Sequence, residues 1–171
     1  DLIAFDLETT SIRALEADIV GISFSLADHS GYYIPVEFPE KELDIDMSLN
    51  LILKHLKPEF ENSENCFCGQ NIKYDALVLS RYNIHLSNIG FDTMVAEYLL
   101  HPEKNSYKLD YLSLDYLSYR MVPIEDLIGS GLHQKSMTEV PLEDITYYAV
   151  EDADVTYQLS SILKDKLKQE N

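Results

Sequence analysis

The sequence predicts an α/β domain built on a mixed β-sheet flanked by helices. Near the start, three stretches have the apolar character of β-strands, and a short turn joins the second of them to the third. Further along, an apolar stretch of strand length is surrounded by stretches in which apolar residues recur at helical spacing. Early strands in a hairpin, followed by alternating strands and helices, are typical of a mixed sheet.

The elements follow from these patterns in chain order. Apolar runs bounded by turn residues predict strands at 1–10, 18–27, 32–36 and 65–69. Helical spacing predicts helices at 47–60, 73–83, 91–100, 109–119 and 143–167, with Asp92 as an N-cap. We expect connections at 38–46 and 101–108, and irregular structure at 120–142.

Length and composition favour one domain, residues 1–171, with a full core. No stretch is apolar enough to span a membrane, and no signal peptide is evident. Because the chain opens inside a predicted strand, we expect it to be excised from a longer polypeptide. Cys66 and Cys68 share a strand face, which rarely suits a disulfide, so reduced thiols and a cytoplasmic location are expected.

The net charge of −17 restricts the possible partners. It disfavours a strong sequence-independent grip on nucleic acid. Either the partner is not a polyanion, or bound cations bridge the acids to it, or a neighbouring domain supplies a basic surface.

Two carboxylates interrupt the first strand. Asp6 and Glu8 lie two residues apart, so they share a face at a spacing of about 6–7 Å. Such close like charges raise each other's pKa unless a positive charge lies between them, and a divalent cation with oxygen ligands supplies one. The alternative is an edge strand with a solvated acidic face.

Further acids occur on two predicted helices. On the last helix Asp152 lies in the apolar stripe, with Tyr148 one turn before it, whereas Glu151 and Asp154 are predicted to be solvated. Asp75 lies in the first turn of an earlier helix and faces inward. A buried Asp is costly unless it is paired or binds a metal. The alternative for Asp152 is a structural hydrogen bond, and the alternative for Asp75 is a favourable interaction with the helix dipole. Four acids and a tyrosine facing inward suit a two-metal site for phosphoryl transfer.

Three segments resemble the exonuclease motifs of the DEDD superfamily, in its tyrosine variant. They are Phe5-Asp6-Leu7-Glu8-Thr9, residues 69–75 and residues 148–156. The match is closest to the 3′–5′ proofreading exonuclease domain of bacterial DNA polymerase I (family A). Residues 91–94 and 108–112 also resemble the segments that lie between the motifs in that family. The resemblance implies an RNase H-like exonuclease fold, with a mixed five-stranded sheet whose first three strands are antiparallel.

The resemblance also implies catalytic roles. Two divalent ions, Mg²⁺ with Mn²⁺ as a substitute, would be held by the four acids. Asp6, Glu8 and Asp152 would hold the tighter ion, Asp6 would bridge to the second, and Asp75 would hold the second through water. Tyr148 and Glu8 would orient the attacking water.

The implied substrate is the 3′ end of single-stranded or frayed DNA, hydrolysed in line to nucleoside 5′-monophosphates. Ile12 would wedge against the terminal bases and Asn71 would contact the strand, while Gln70 and Tyr74 would line the same groove. Met137 occupies the place where the family often has an aromatic stacking residue. The implied setting is a monomer without membrane contact, joined to a polymerase domain in one longer chain.

Two alternatives remain open. One is an RNase D-like or Werner-type exonuclease that acts on RNA, or on DNA outside replication. The other is a catalytically inert module that only packs against a polymerase. Because all four acids and the tyrosine are present, we expect an active enzyme.

Overall fold

The computed structural model describes residues 2–36, 48–131 and 134–170, and it contains a five-stranded sheet in the order β3-β2-β1-β4-β5. The strands are β1 Leu2–Thr9, β2 Ile19–Ala27, β3 Ser30–Pro35, β4 Cys66–Gly69 and β5 Ile89–Asp92. β1 pairs antiparallel with β2 and parallel with β4; β2–β3 is antiparallel and β4–β5 is parallel. The expected mixed five-stranded sheet is therefore confirmed, with β1 at its centre.

The fifth strand was not predicted from local patterns. The sequence analysis began a helix at Phe91, whereas the structure places Phe91 in β5 and begins the next helix at Thr93. β5 has four residues at the edge of the sheet, too few to show an alternating pattern of their own. Gly90 allows close packing there, since a Cβ atom on it would lie 2.1 Å from the Cys66 Sγ atom. Pairing with β4, rather than local composition, makes this strand.

Six α-helices occur in the described residues. They are α1 Leu49–Phe60, α2 Lys73–Arg81, α3 Thr93–Leu100, α4 Leu109–Leu117, α5 Ile124–Ile128 and α6 Leu142–Gln169. Asp92 caps α3 as predicted, accepting a hydrogen bond from the Val95 backbone N–H at 3.1 Å. The stretch expected to be irregular contains α5 and a short 3₁₀ helix, Met137–Glu139. The predicted connection 38–46 lies outside the described residues.

The core lies on both sides of the sheet. On one side, Phe5 of β1 packs against Phe60 of α1 and Phe67 of β4, with ring centroids 5.3 and 5.6 Å away. On the other side, α6 crosses β1, β2 and β3 and also packs against α3 and α4. Since Phe5 and Leu7 belong to the first core, the alternating acids of β1 face the helix α6.

Both cysteines are free thiols, as expected. Burial raises the pKa of the Cys68 thiol to about 12, so this side chain stays protonated. Within the described ranges, no helix combines the length and the apolar character that a membrane span requires.

Candidate active site

Three carboxylates from two elements converge beside the central strand. Asp6 and Glu8 of β1 and Asp152 of α6 each offer an oxygen atom, and these atoms lie within 4.8 Å of one another. β1 is an interior strand and Glu8 is only 6% exposed, so the alternative of a solvated edge strand is wrong. The Glu8 Oε1 atom is buried and has no hydrogen-bond partner among the described residues. An unpartnered carboxylate oxygen at such a convergence is suited to a cation.

Asp75 contacts the strand between two of these acids. It stands in the first turn of α2, is 2% exposed, and its Oδ1 atom accepts a hydrogen bond from the Leu7 backbone N–H at 3.2 Å. Leu7 separates Asp6 from Glu8, so this bond ties α2 to the strand at the site. Asp75 is nevertheless outside the set of three acids whose oxygens converge.

Tyr148 approaches the acids from α6, one turn before Asp152. Burial raises the pKa of its hydroxyl well above the usual range, and the charges of Asp152, Glu8 and Asp6 raise it further. Without metal, the hydroxyl therefore stays protonated at neutral pH and can donate a hydrogen bond.

The acids are short of positive charge. Burial raises the pKa of Asp6 to about 6. Burial, followed by the charge of Asp6, also raises the pKa values of Glu8, Asp75 and Asp152. Among the described residues, no ion pair involves any of these four acids. The site as a whole therefore favours a cation that would offset their mutual repulsion.

Without metal, the domain should lose stability as the pH rises through the titration of Asp6. The pKa of its carboxyl is 3.8 ordinarily and about 6 in the fold. Between these two pKa values the folded state therefore binds more protons than the unfolded state. The resulting contribution to the free energy of unfolding is complete below the pKa of the unfolded chain and is lost as the pH rises through the pKa of the folded state. In EDTA we expect the melting temperature to fall between about pH 4 and about pH 7.

The matched variant for this prediction is Asp6→Asn, which cannot titrate and should show a shallower pH dependence in EDTA. Mg²⁺ should raise the melting temperature of the wild-type chain more at about pH 8 than at about pH 5, since protons compete with the ion at low pH. Equal slopes for the two proteins would contradict the assignment.

A groove of about 660 Å³ leads to the acids. It is lined by Glu8 and by four of the five residues expected to bind substrate: Ile12, Asn71, Tyr74 and Met137. Ile12 is 96% exposed, whereas Met137 is 7% exposed and forms part of the wall. The Tyr74 hydroxyl is held by the Thr9 hydroxyl at 2.6 Å.

Gln70 does not line this groove, contrary to expectation. Its Nε2 atom donates to the Tyr107 carbonyl and its Oε1 atom accepts from the Thr93 hydroxyl, both at 2.6 Å. The next residue, Asn71, has a left-handed backbone with φ 62°, and its N–H donates to Asp92. This turn separates the two neighbouring side chains, so only Asn71 lies in the groove.

The sequence analysis did not identify Ile124. This residue opens α5 and is 38% exposed. It lines the groove, and it also lines a second cavity of about 250 Å³ together with Tyr148 and Asp152. The helix start at Ile124 could have been recognised from Pro123 before it and Glu125 and Asp126 after it, since a proline and then acids are typical of a helix start.

The prediction that Glu151 is solvated was wrong. Its side chain is 7% exposed and accepts hydrogen bonds from the Tyr119 hydroxyl and the Val122 backbone N–H. Both donors lie about thirty positions earlier, so the periodicity of α6 could not reveal them. Asp154 is half-buried and accepts a hydrogen bond from the His29 backbone N–H at 2.7 Å.

Solved structures of other proteins share this architecture. A solved structure of Brucella melitensis NrnC has a TM-score of 0.74 at 18% identity, covering 99% of this chain and 75% of that one. The catalytic core of RRP6 from Trypanosoma brucei has a TM-score of 0.69 at 15% identity, covering 95% and 40%. At these identities the likeness concerns the fold alone, and it confirms the expected RNase H-like exonuclease fold.

Sequence comparison assigns the family. DNA polymerase I of Pseudomonas aeruginosa is 35% identical over 170 residues, which cover 98% of this chain and 19% of that protein. The chain thus spans about a fifth of the length of this relative. A family model described as a 3′–5′ exonuclease matches residues 1–168. The chain therefore belongs to the 3′–5′ exonuclease family and is a hydrolase domain of the kind found in DNA polymerase I.

Proposed function

We propose that this domain is a two-metal 3′–5′ exonuclease that proofreads for a family A DNA polymerase. It hydrolyses the 3′-terminal phosphodiester of single-stranded or frayed DNA and releases nucleoside 5′-monophosphates. The observation that carries this proposal is the convergence of oxygen atoms of Asp6, Glu8 and Asp152 within 4.8 Å of one another, with Glu8 also lining the groove.

The residues of the site fit a pair of divalent ions. The donors are all carboxylates, which suit Mg²⁺ and Mn²⁺, and the buried Glu8 oxygen lacks a protein partner. Asp6, Glu8 and Asp152, with Asp75 beside them, would hold these ions. When bound, such ions stabilise the charge that develops on the phosphate and on the leaving oxygen.

Tyr148 and Glu8 would orient the attacking water. The Tyr148 hydroxyl remains protonated among three carboxylates, so it can donate a hydrogen bond to the water. A carboxylate has two oxygens, so Glu8 can offer one to an ion and accept a hydrogen bond from the water with the other. Together they would aim the oxygen lone pair at the phosphorus atom.

The groove favours a single strand over a duplex. Exposed Ile12 would pack against the terminal bases, and Asn71 and Tyr74 would flank the strand. Lys135 is a basic residue on the groove wall, whereas the chain as a whole carries −17. With so little positive surface, the domain should bind duplex weakly and accept a frayed 3′ end at its acidic site.

The proposed setting is a polymerase in the cytoplasm. Because the relative at 35% identity is DNA polymerase I, we place this chain as one domain of a longer polymerase, with the polymerase domain as its partner. The exonuclease domain itself would be monomeric. An RNase D-like preference for RNA is the second candidate, since the same fold and the same acids would serve either substrate.

A 5′-labelled single-stranded DNA oligonucleotide, compared with an RNA of the same sequence, tests this proposal. With Mg²⁺ or Mn²⁺ we expect a ladder that shortens from the 3′ end on DNA, with only weak cleavage of RNA. EDTA and Asp6→Ala should both abolish the ladder. Preference for RNA would favour the RNase D-like alternative. Absence of cleavage on both substrates would favour the inert module.

A further inference from the structure

Glu151 is a buried acid that the proposed chemistry does not use. It stands on α6 next to Asp152, and no described residue forms an ion pair with it. Its Oε1 atom accepts from the Tyr119 hydroxyl at 2.7 Å, and its Oε2 atom accepts from the Val122 N–H at 2.8 Å. Glu151 thus fastens the α4–α5 segment, residues 118–123, to α6.

The α4–α5 segment leads directly into the active site. Val122 and Pro123 line the cavity that contains Tyr148 and Asp152, and Ile124 follows as the first residue of α5. Ile124 also lines the groove, together with Ile12, Asn71 and Tyr74. One helix therefore carries Tyr148 and Asp152 and, through Glu151, also holds the segment that lines the same cavity.

The segment has a second attachment that is independent of Glu151. Met121 is 6% exposed and packs in the apolar cluster formed by α3, α4 and α6. The Ser113 hydroxyl also donates to the Tyr119 carbonyl at 2.9 Å. The segment should therefore stay folded when Glu151 is changed, while the end nearest Ile124 becomes free to shift.

We propose that Glu151 is a positioning residue, which sets the distance between Ile124 and the catalytic acids. The terminal nucleotide would be held against Ile124 so that its phosphodiester lies at Asp6, Glu8 and Asp152. Glu151 would not touch the substrate. This inference rests on the proposed exonuclease function, because it concerns the placement of the same scissile bond.

The primary test measures kcat, KM and metal affinity for Glu151→Ala. We expect kcat on single-stranded DNA to fall about ten- to a hundredfold, since a small misplacement of the reacting groups has effects of this size. Metal affinity, measured by calorimetry without DNA, should be unchanged because Asp6, Glu8 and Asp152 remain. Glu151→Gln should restore most of kcat, since its amide oxygen can accept from Val122 and its amide N–H can donate to the Tyr119 hydroxyl.

A double-mutant cycle separates positioning from general destabilisation. If Glu151 acts through Ile124, the losses in kcat for Glu151→Ala and Ile124→Ala should be less than additive when combined. The control is Asp154→Asn on the same helix, which loosens the His29 contact instead and should keep kcat. Additive losses, or a kcat loss in Asp154→Asn equal to that in Glu151→Ala, would overturn the inference.

If Glu151→Ala fails to fold, Tyr119→Phe tests the same inference. It removes one of the two bonds and leaves the Val122 bond in place, so we expect a smaller loss in kcat with full metal affinity. Unchanged kcat in Tyr119→Phe, or in a folded Glu151→Ala, would overturn the positioning role. A wild-type chain that binds metal but cleaves nothing would instead overturn the proposed function.

Discussion

Asp152→Asn is expected to slow hydrolysis of a single-stranded DNA 3′ end by about a thousandfold or more, because the charge-stabilising metal site then lacks a ligand. Asp152 is the only acid of the converging three that comes from α6, so its loss leaves just the two acids of β1. The asparagine side chain has nearly the same shape and keeps an oxygen acceptor. The effect should therefore come from the lost charge, measured as kcat on a 5′-labelled oligonucleotide with saturating Mg²⁺.

Stability should change in the opposite direction in the same variant. Without metal, the pKa of Asp152 is raised by burial and then by the charge of Asp6, so its ionised form opposes folding at neutral pH. In EDTA we expect a higher melting temperature for Asp152→Asn than for the wild-type chain. Mg²⁺ should then raise the melting temperature less in the variant.

The matched control for this variant is Asp144→Asn, the same chemical change at an exposed position in the first turn of α6. It should leave the rate unchanged and have little effect on stability. If Asp152→Asn lost both activity and melting temperature in EDTA, Asp152 would be a structural residue and not a metal ligand.

Tyr148→Phe is expected to lower kcat about a hundredfold, within the range typical of a positioned proton donor or acceptor. The change removes one oxygen atom and leaves the ring that packs beside Val20 and Ile145. Metal affinity and KM for the strand should be close to those of the wild-type chain. Because a tyrosine hydroxyl does not titrate at acidic pH, the variant should lower the whole pH–rate profile without moving its acidic limb.

Tyr157→Phe is the control, since this tyrosine also lies on α6 but lines neither the groove nor the cavity beside the acids. Its kcat should match that of the wild-type chain. A Tyr148→Phe variant with full kcat would exclude the hydroxyl from the mechanism. A variant with weak metal binding would assign Tyr148 a role in holding the acids instead.

The positions of the central acids could be predicted because they depend on local geometry. Alternation along β1 placed Asp6 and Glu8 on the face away from Phe5, and helical spacing placed Tyr148 one turn before Asp152. The resemblance to family A exonuclease motifs added the number of strands and their directions, which the sheet confirms. The catalytic roles of these residues and the number of ions remain predictions.

The sequence analysis missed three features that depend on contacts between distant segments of the chain. β5 forms by pairing with β4. Gln70 hydrogen-bonds Thr93 and Tyr107 and so does not line the groove. Glu151 is buried against the α4–α5 segment, which packs on α6. None of these partners has a regular spacing in the chain.

The amino-acid sequence alone therefore determined the fold class and the face of its strand or helix on which each of the four acids lies. The tertiary structure decided which acids converge, that Asp75 is tied to the Leu7 backbone, and which side chains form the groove. The physical reason is that strand and helix periods depend on residues a few positions apart. The distances that make a site depend on how whole elements pack against each other.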